Sequence, residues 1–266
     1  MKTVTSKDGT TIAYHQSGTG PALIIVGGAL AVASQPGGDA FVAPLAPHFT
    51  VINHDRRGRG QSGDTLPYAV QREIEDIEAL IGVAGGSSFL LGFSSGAVLA
   101  LEAANKLPAK VKKLALYEPP FIVDDSHPVP ADYVAQLNAA IAAGRRGDAV
   151  EIFLTKAVGV PAEVVDQMRN DPPSWSGMEA VAHTLVYDGT IMGNTMSGKP
   201  LPEGKWVSAS MPTLVMTGGN SEPFFSAGAQ ALVRLLPNAQ HRILEGQDHN
   251  VSPTALTPLL VEFFKS

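Results

Sequence analysis

The segment Ser88-Phe89-Leu90-Leu91-Gly92-Phe93-Ser94-Ser95-Gly96-Ala97 constrains this chain more than any other. Its apolar start reads as a buried strand, and the apolar stretch Ala97 to Ala104 reads as a helix. Between them stands G-x-S-x-G, which puts Ser94 on a sharp strand-to-helix turn. Such a turn strains its middle residue and needs small neighbours, which Gly92 and Gly96 supply. The expected result is a serine hydroxyl above the sheet beside a helix N-terminus, where negative charge is favoured. The pattern of five residues recurs by chance, so the strand before it and the helix after it carry the inference.

The rest of the chain alternates strands and helices. Asp8-Gly9 signals a hairpin between Thr3-Val4 and Thr10 to Tyr14. Ala22 to Val26, Phe49 to Asn53, Val111 to Tyr117, Met211 to Met216 and His241 to Leu244 read as strands. Residues 70–81 predict an amphipathic helix, with Val70, Ile74, Ile77 and Ile81 on one face and Arg72, Glu73, Glu75 and Glu78 elsewhere. Ala227 to Leu236 and Leu256 to Phe264 are also expected as helices. This alternation implies a mostly parallel sheet covered by helices on both faces, an α/β fold. Residues 121–208 break the rhythm with seven prolines and two helical patterns, Ala131 to Ala143 and Met178 to Tyr187. They read as a helical cap inserted between the sixth and seventh strands. The core is then 1–120 and 209–266.

Composition removes several function classes. At 266 residues and 44% hydrophobic content the chain can bury one sizeable core. A net charge of -6 argues against an electrostatic nucleic-acid binder, and Arg56-Arg57-Gly58-Arg59 is too short to form a patch and falls in an expected loop. With no cysteine there are neither disulfides nor thiolate metal sites, and Asp124, Asp125 and His127 read as a polar hinge. No apolar run approaches a membrane span, and the first nine residues lack the apolar core of a signal peptide. A soluble, cytoplasmic protein with a small-molecule substrate and no cofactor is expected, its oligomeric state open.

The chain resembles the α/β-hydrolase fold family over nearly its whole length. The resemblance rests on Gly92 to Gly96, on Asn53-His54-Asp55-Arg56-Arg57-Gly58-Arg59-Gly60-Gln61-Ser62, on Pro212 to Gly218 and on Gly246-Gln247-Asp248-His249-Asn250-Val251-Ser252-Pro253. It implies a nucleophile at Ser94 and a base at His249, the one histidine of seven in a loop after the last strand. His241, inside a strand pattern, reads as structural. The acid departs from the common pattern. Gly218-Gly219-Asn220-Ser221-Glu222 puts Ser221 where an aspartate is usual, with Glu222 one residue late. Glu118, 24 residues beyond Ser94 at the end of the sixth strand, matches the placement in haloalkane dehalogenases and zearalenone lactonases. Glu118 is the favoured acid and Glu222 the alternative.

The family's oxyanion amides map onto Ser95 and, in Gly27-Gly28-Ala29-Leu30, onto Ala29. In the cap, Trp175 and Tyr187 are the candidate substrate contacts, and the lack of an arginine or lysine cluster favours neutral esters or lactones with apolar bodies. The expected activity is a serine hydrolase. Perhydrolysis, a cofactor-free lyase or oxygenase reaction, and a ligand receptor with a vestigial triad are the other uses such a framework can have.

Overall fold

Residues alternating in side-chain direction build the sheet, and its central strands feed two cores. The computed structural model describes residues 1–266. It has eight strands: β1 (Lys2–Thr5), β2 (Thr11–Ser17), β3 (Ala22–Val26), β4 (Thr50–His54), β5 (Ser88–Phe93), β6 (Val111–Tyr117), β7 (Thr213–Gly218) and β8 (Ala239–Leu244). Their order across the sheet is β1-β2-β4-β3-β5-β6-β7-β8. β1–β2 and β2–β4 are antiparallel and every later pairing is parallel. The mostly parallel sheet expected from the sequence is therefore observed.

Helices α1 (Val42–Leu45), α2 (Val70–Val83), α3 (Ser95–Lys106), α9 (Pro223–Leu235) and α10 (Pro253–Lys265) flank the sheet. Ile24, Leu90, Leu114 and Val215 pack with α2, α3 and α9 on one face. Ile25, Leu91, Ala115 and Leu214 pack with α1 and α10 on the other. Between β6 and β7 lie α4 (Tyr133–Ala142), α5 (Arg146–Ile152), α6 (Ala162–Met168), α7 (Pro172–Val181) and α8 (Leu185–Met192). Part of this segment has a small core of its own, built on Leu137, Val150 and Trp175. Its end joins the main core through Met192, Leu201 and Trp206. No helix is long and apolar enough to cross a membrane.

The inserted segment holds more helices than the two patterns expected. α5 and α6 lie outside the expected helices, each only seven residues long, too short for a periodic signal. The Pro172-Pro173 pair opens a helix rather than breaking one, since a proline at the first turn loses no hydrogen bond. The amphipathic helix expected over 70–81 is present as α2, and its Glu73, Glu75 and Asp76 are buried. Arginines from the loop after β4 meet two of them: Arg56 holds Glu73, and Arg57 holds Asp76 at 2.7 Å.

Candidate active site

The strand order reverses direction between β3 and β5, which pair with Val26 opposite Gly92. Such a switch point opens a crevice beyond the strands' carboxyl ends. The loop after β3 and the turn after β5 meet there. Their contact requires glycine: a Cβ on Gly96 would stand 2.4 Å from the carbonyl oxygens of Val26 and Gly27, and one on Gly28 would stand 3.0 Å from the Ser94 Cβ.

Ser94 has φ 52° and ψ -127°, and its amide donates to the Tyr117 carbonyl at 2.9 Å. The non-glycine residues with positive φ are Leu30, Ser94 and Glu118. They stand one on each of the segments that leave the carboxyl ends of β3, β5 and β6. Strain of this kind persists only where the surroundings impose it.

Glu118 is fully buried. Its Oε1 accepts the Gly218 amide at 2.7 Å and its Oε2 faces His249 Nδ1 at 2.7 Å. A carboxylate can only accept, so Nδ1 carries the proton and Nε2 is left as the basic nitrogen. The His249 loop is fixed by Tyr117, whose hydroxyl donates to the Asp248 carbonyl at 2.6 Å, and the His249 ring stacks on Phe225. The structure thus brings Glu118 and His249 together. Glu222 is exposed at the start of α9 and makes no bond to His249. His241 bonds Thr217 within the sheet, apart from this arrangement.

Ser94, Ser95, Ala29 and His249 all line one cavity of about 790 Å³. The amides of Ala29 and Ser95 donate to no backbone group. Phe153, Leu154, Met168, Met192 and Met196 from the inserted segment form its apolar wall. No lysine or arginine lines it, whereas Asp188, Glu222 and Asp248 do.

Trp175 and Tyr187, expected against substrate, are not among the lining residues. Trp175 is buried in the inserted segment's own core with the Arg169 guanidinium 4.8 Å from its ring. Tyr187 stacks on Tyr68 at 3.9 Å and donates to Asp64 at 2.8 Å. Large aromatics with a polar tip fill such cores well, and the flexible methionines line the cavity instead.

A buried ionic cluster beneath the crevice has no counterpart in the sequence reading. Arg56 bonds Glu73 with Nε at 2.7 Å and Nη2 at 2.8 Å, and bonds Asp188 with Nη1 at 2.7 Å. Arg59 bonds Asp188 at 2.5 Å and Thr184 at 2.9 Å. Burial alone would raise the Asp188 carboxyl, but the guanidiniums of Arg59 and Arg56 outweigh it and hold the carboxyl below its ordinary range. The arginine run and the acidic face of α2 were the available signal. Asp188, 132 residues from Arg56, gave none.

A model of the alpha/beta hydrolase family matches residues 24–257 of the chain. Among solved structures, an alpha/beta hydrolase from Sphaerobacter thermophilus is 53% identical with a TM-score of 0.90, covering 99% of this chain and 100% of its own. The enol-lactonase from Burkholderia xenovorans superposes with a TM-score of 0.71 at 19% identity, over 100% of both chains. A 2-(acetamidomethylene)succinate hydrolase from Mesorhizobium japonicum is 24% identical over 91% of this chain and 86% of its own.

Proposed function

The chain belongs to the alpha/beta hydrolase family, and on that premise we propose that it is a serine hydrolase of carboxylic esters or lactones. The observation that carries the reading is Glu118, buried between the Gly218 amide and His249 Nδ1. A carboxylate there fixes the imidazole tautomer that a serine nucleophile needs. Ser94 Oγ attacks the substrate carbonyl carbon while His249 Nε2 takes the hydroxyl proton. The oxyanion is met by the Ala29 and Ser95 amides and by the N-terminus of α3. The bond to the leaving oxygen then breaks as His249 returns the proton to it. Water, deprotonated by His249, attacks the acyl-serine and releases the acid.

The cavity favours a neutral substrate with an apolar body. Its wall carries methionines and phenylalanines with carboxylates and neither lysine nor arginine. The succinate after which the Mesorhizobium japonicum relative is named would find no cation here for its carboxylates.

Intact mass after fluorophosphonate treatment tests the nucleophile. The wild type is expected to gain one label and release p-nitrophenol from short acyl esters, and Ser94→Ala is expected to do neither. Equal labelling of the variant would refute the assignment.

A further inference from the structure

We propose that Asp188 of α8, through Arg56 and Arg59, positions both oxyanion amides, which makes the inserted segment part of the reaction centre's framework as well as its wall. The proposal rests on the reading of Ala29 and Ser95 as the oxyanion donors.

The geometry starts from one peptide unit. The Gly28 carbonyl and the Ala29 amide belong to the same planar group, and in a trans peptide they point in opposite directions. Whatever fixes the carbonyl therefore fixes the N–H. Arg59 Nη1 donates to the Gly28 carbonyl at 2.5 Å, and Arg56 Nη1 donates to the Gly27 carbonyl of the preceding unit at 3.2 Å. The next residue, Leu30, is held at φ 60°, so the loop carries strain that a rotation of these units would relax. The two guanidiniums oppose that rotation.

Asp188 ties this loop to the nucleophile turn. Its Oδ2 accepts from Arg59 Nη2 at 2.5 Å, and its Oδ1 accepts from Arg56 Nη1 at 2.7 Å and from Ser95 Oγ at 2.8 Å. Ser95 supplies the other oxyanion amide. A single carboxylate thus links the residue of one donor to the carbonyl that orients the other. Arg59, Arg56, Asp188 and Glu73 are all buried, so water does not loosen the frame. Two guanidiniums against two carboxylates leave the cluster neutral. Asp188 therefore brings little net negative charge to bear on the oxyanion above it.

The test uses Asp188→Asn, Arg59→Lys and Ser95→Ala in the full chain. Asparagine keeps the shape and loses the charge, lysine keeps the charge but lacks the rigid planar fork that fixes the direction of both bonds, and alanine removes one hydroxyl bond. Each variant is assayed for kcat and KM on p-nitrophenyl esters. Inhibition constants are measured for an alkyl boronic acid, which forms a tetrahedral adduct on the serine, and for an ether isostere of the substrate, which has no carbonyl. Asp188→Asn and Arg59→Lys are expected to lose about 10- to 100-fold in kcat with KM within about twofold. The boronate should weaken by the same factor and the ether should bind as to wild type. Ser95→Ala should show the same pattern at about 3- to 10-fold, since the arginines still hold the loop.

A rise in KM and in the ether constant with unchanged kcat would overturn the proposal, because it would show a loosened binding cavity. So would wild-type kinetics in the variants. Should Asp188→Asn fail to fold, Arg59→Lys and Ser95→Ala, which leave the charges balanced, decide the matter. A wild type that neither hydrolyses esters nor takes a fluorophosphonate label would overturn the hydrolase reading itself. An active wild type with unaffected variants would overturn the positioning role alone.

Discussion

Glu118→Gln is the sharpest perturbation the site offers, because the side chain keeps its shape and exchanges an acceptor for a donor. Both oxygens of Glu118 now accept, from the Gly218 amide and from His249 Nδ1, each at 2.7 Å. Glutamine can satisfy only one of these donors. If its oxygen stays on Gly218, its NH2 faces Nδ1, and His249 must move its proton to Nε2. That tautomer cannot accept the Ser94 proton. The alternative points an NH2 at the Gly218 amide in a fully buried position, at a cost of about 1–3 kcal/mol for the unsatisfied donors. The first arrangement is the cheaper one, and the enzyme folds with the wrong tautomer. Loss of the orienting carboxylate in a Ser-His-Asp enzyme costs about 10⁴ in turnover, which corresponds to about 5 kcal/mol of barrier. We therefore expect Glu118→Gln to keep its circular dichroism, to keep its unfolding free energy in urea to within about 3 kcal/mol, and to lose about four decades of kcat on p-nitrophenyl esters. Glu222→Gln serves as the comparison: that side chain is exposed and unbonded to His249, and its variant should stay within about twofold of wild type. A Glu118→Gln enzyme within about tenfold of wild type, or a larger loss in Glu222→Gln, would refute the tautomer argument.

Other outcomes follow from the packing and the charges. Gly96→Ala places a Cβ 2.4 Å from two backbone carbonyl oxygens; it should destabilise the fold by about 1–3 kcal/mol in urea titration and slow fluorophosphonate labelling. Trp175→Ala should cost about 3–5 kcal/mol in the same titration and leave the ranking of ester chain lengths unchanged, whereas Met192→Ala, at the cavity wall, should shift that ranking toward longer acyl chains. Burial, helped by the Arg56 charge, pushes buried His54 down to about 4. An unfolded chain therefore binds a proton at pH 5 that the folded chain does not, so stability falls as pH drops below about 6.5. Between pH 7 and 5 this amounts to about 2 kcal/mol, read as the difference in urea stability between wild type and His54→Asn; equal pH slopes for the two would show that His54 is not the cause.

What the sequence disclosed, it disclosed through local constraint. The elbow is five consecutive residues whose backbone demands two glycines, and β3 and β6 are short apolar runs with clear ends, so each stands at its expected place. Glu118 was legible for a related reason: a carboxylate closing an apolar strand before Pro119-Pro120 has few ways to be satisfied. What it left open shares a cause as well. Size makes Trp175 and Tyr187 candidate substrate contacts, yet size decides burial and not which side of a thin helical layer faces the cavity, and neither residue lines it. Helical periodicity sets the carboxylates of α2 off the apolar face but does not say what covers them. Their arginine partners lie in the loop after β4, and no window of one helix contains both.

The Asp188 cluster shows why that gap falls at the site. Removing one member of a buried ion pair is expensive, about 3–5 kcal/mol, but the intact pair adds little over apolar residues of the same volume. The stability of the fold therefore gives no strong reason for Arg56 and Arg59 to be buried with Asp188 and Glu73. What apolar residues could not supply is direction. A guanidinium fork holds a carbonyl and a carboxylate at once, in one plane and at fixed angles. Here the carbonyls are those of Gly27 and Gly28, on the strained loop whose Ala29 amide is the proposed oxyanion donor. An apolar contact would leave that loop free to rotate by the few tens of degrees that separate a good hydrogen bond from a poor one. On the proposed oxyanion role of that loop, the buried charges sit where orientation, and not free energy of folding, is the quantity in demand.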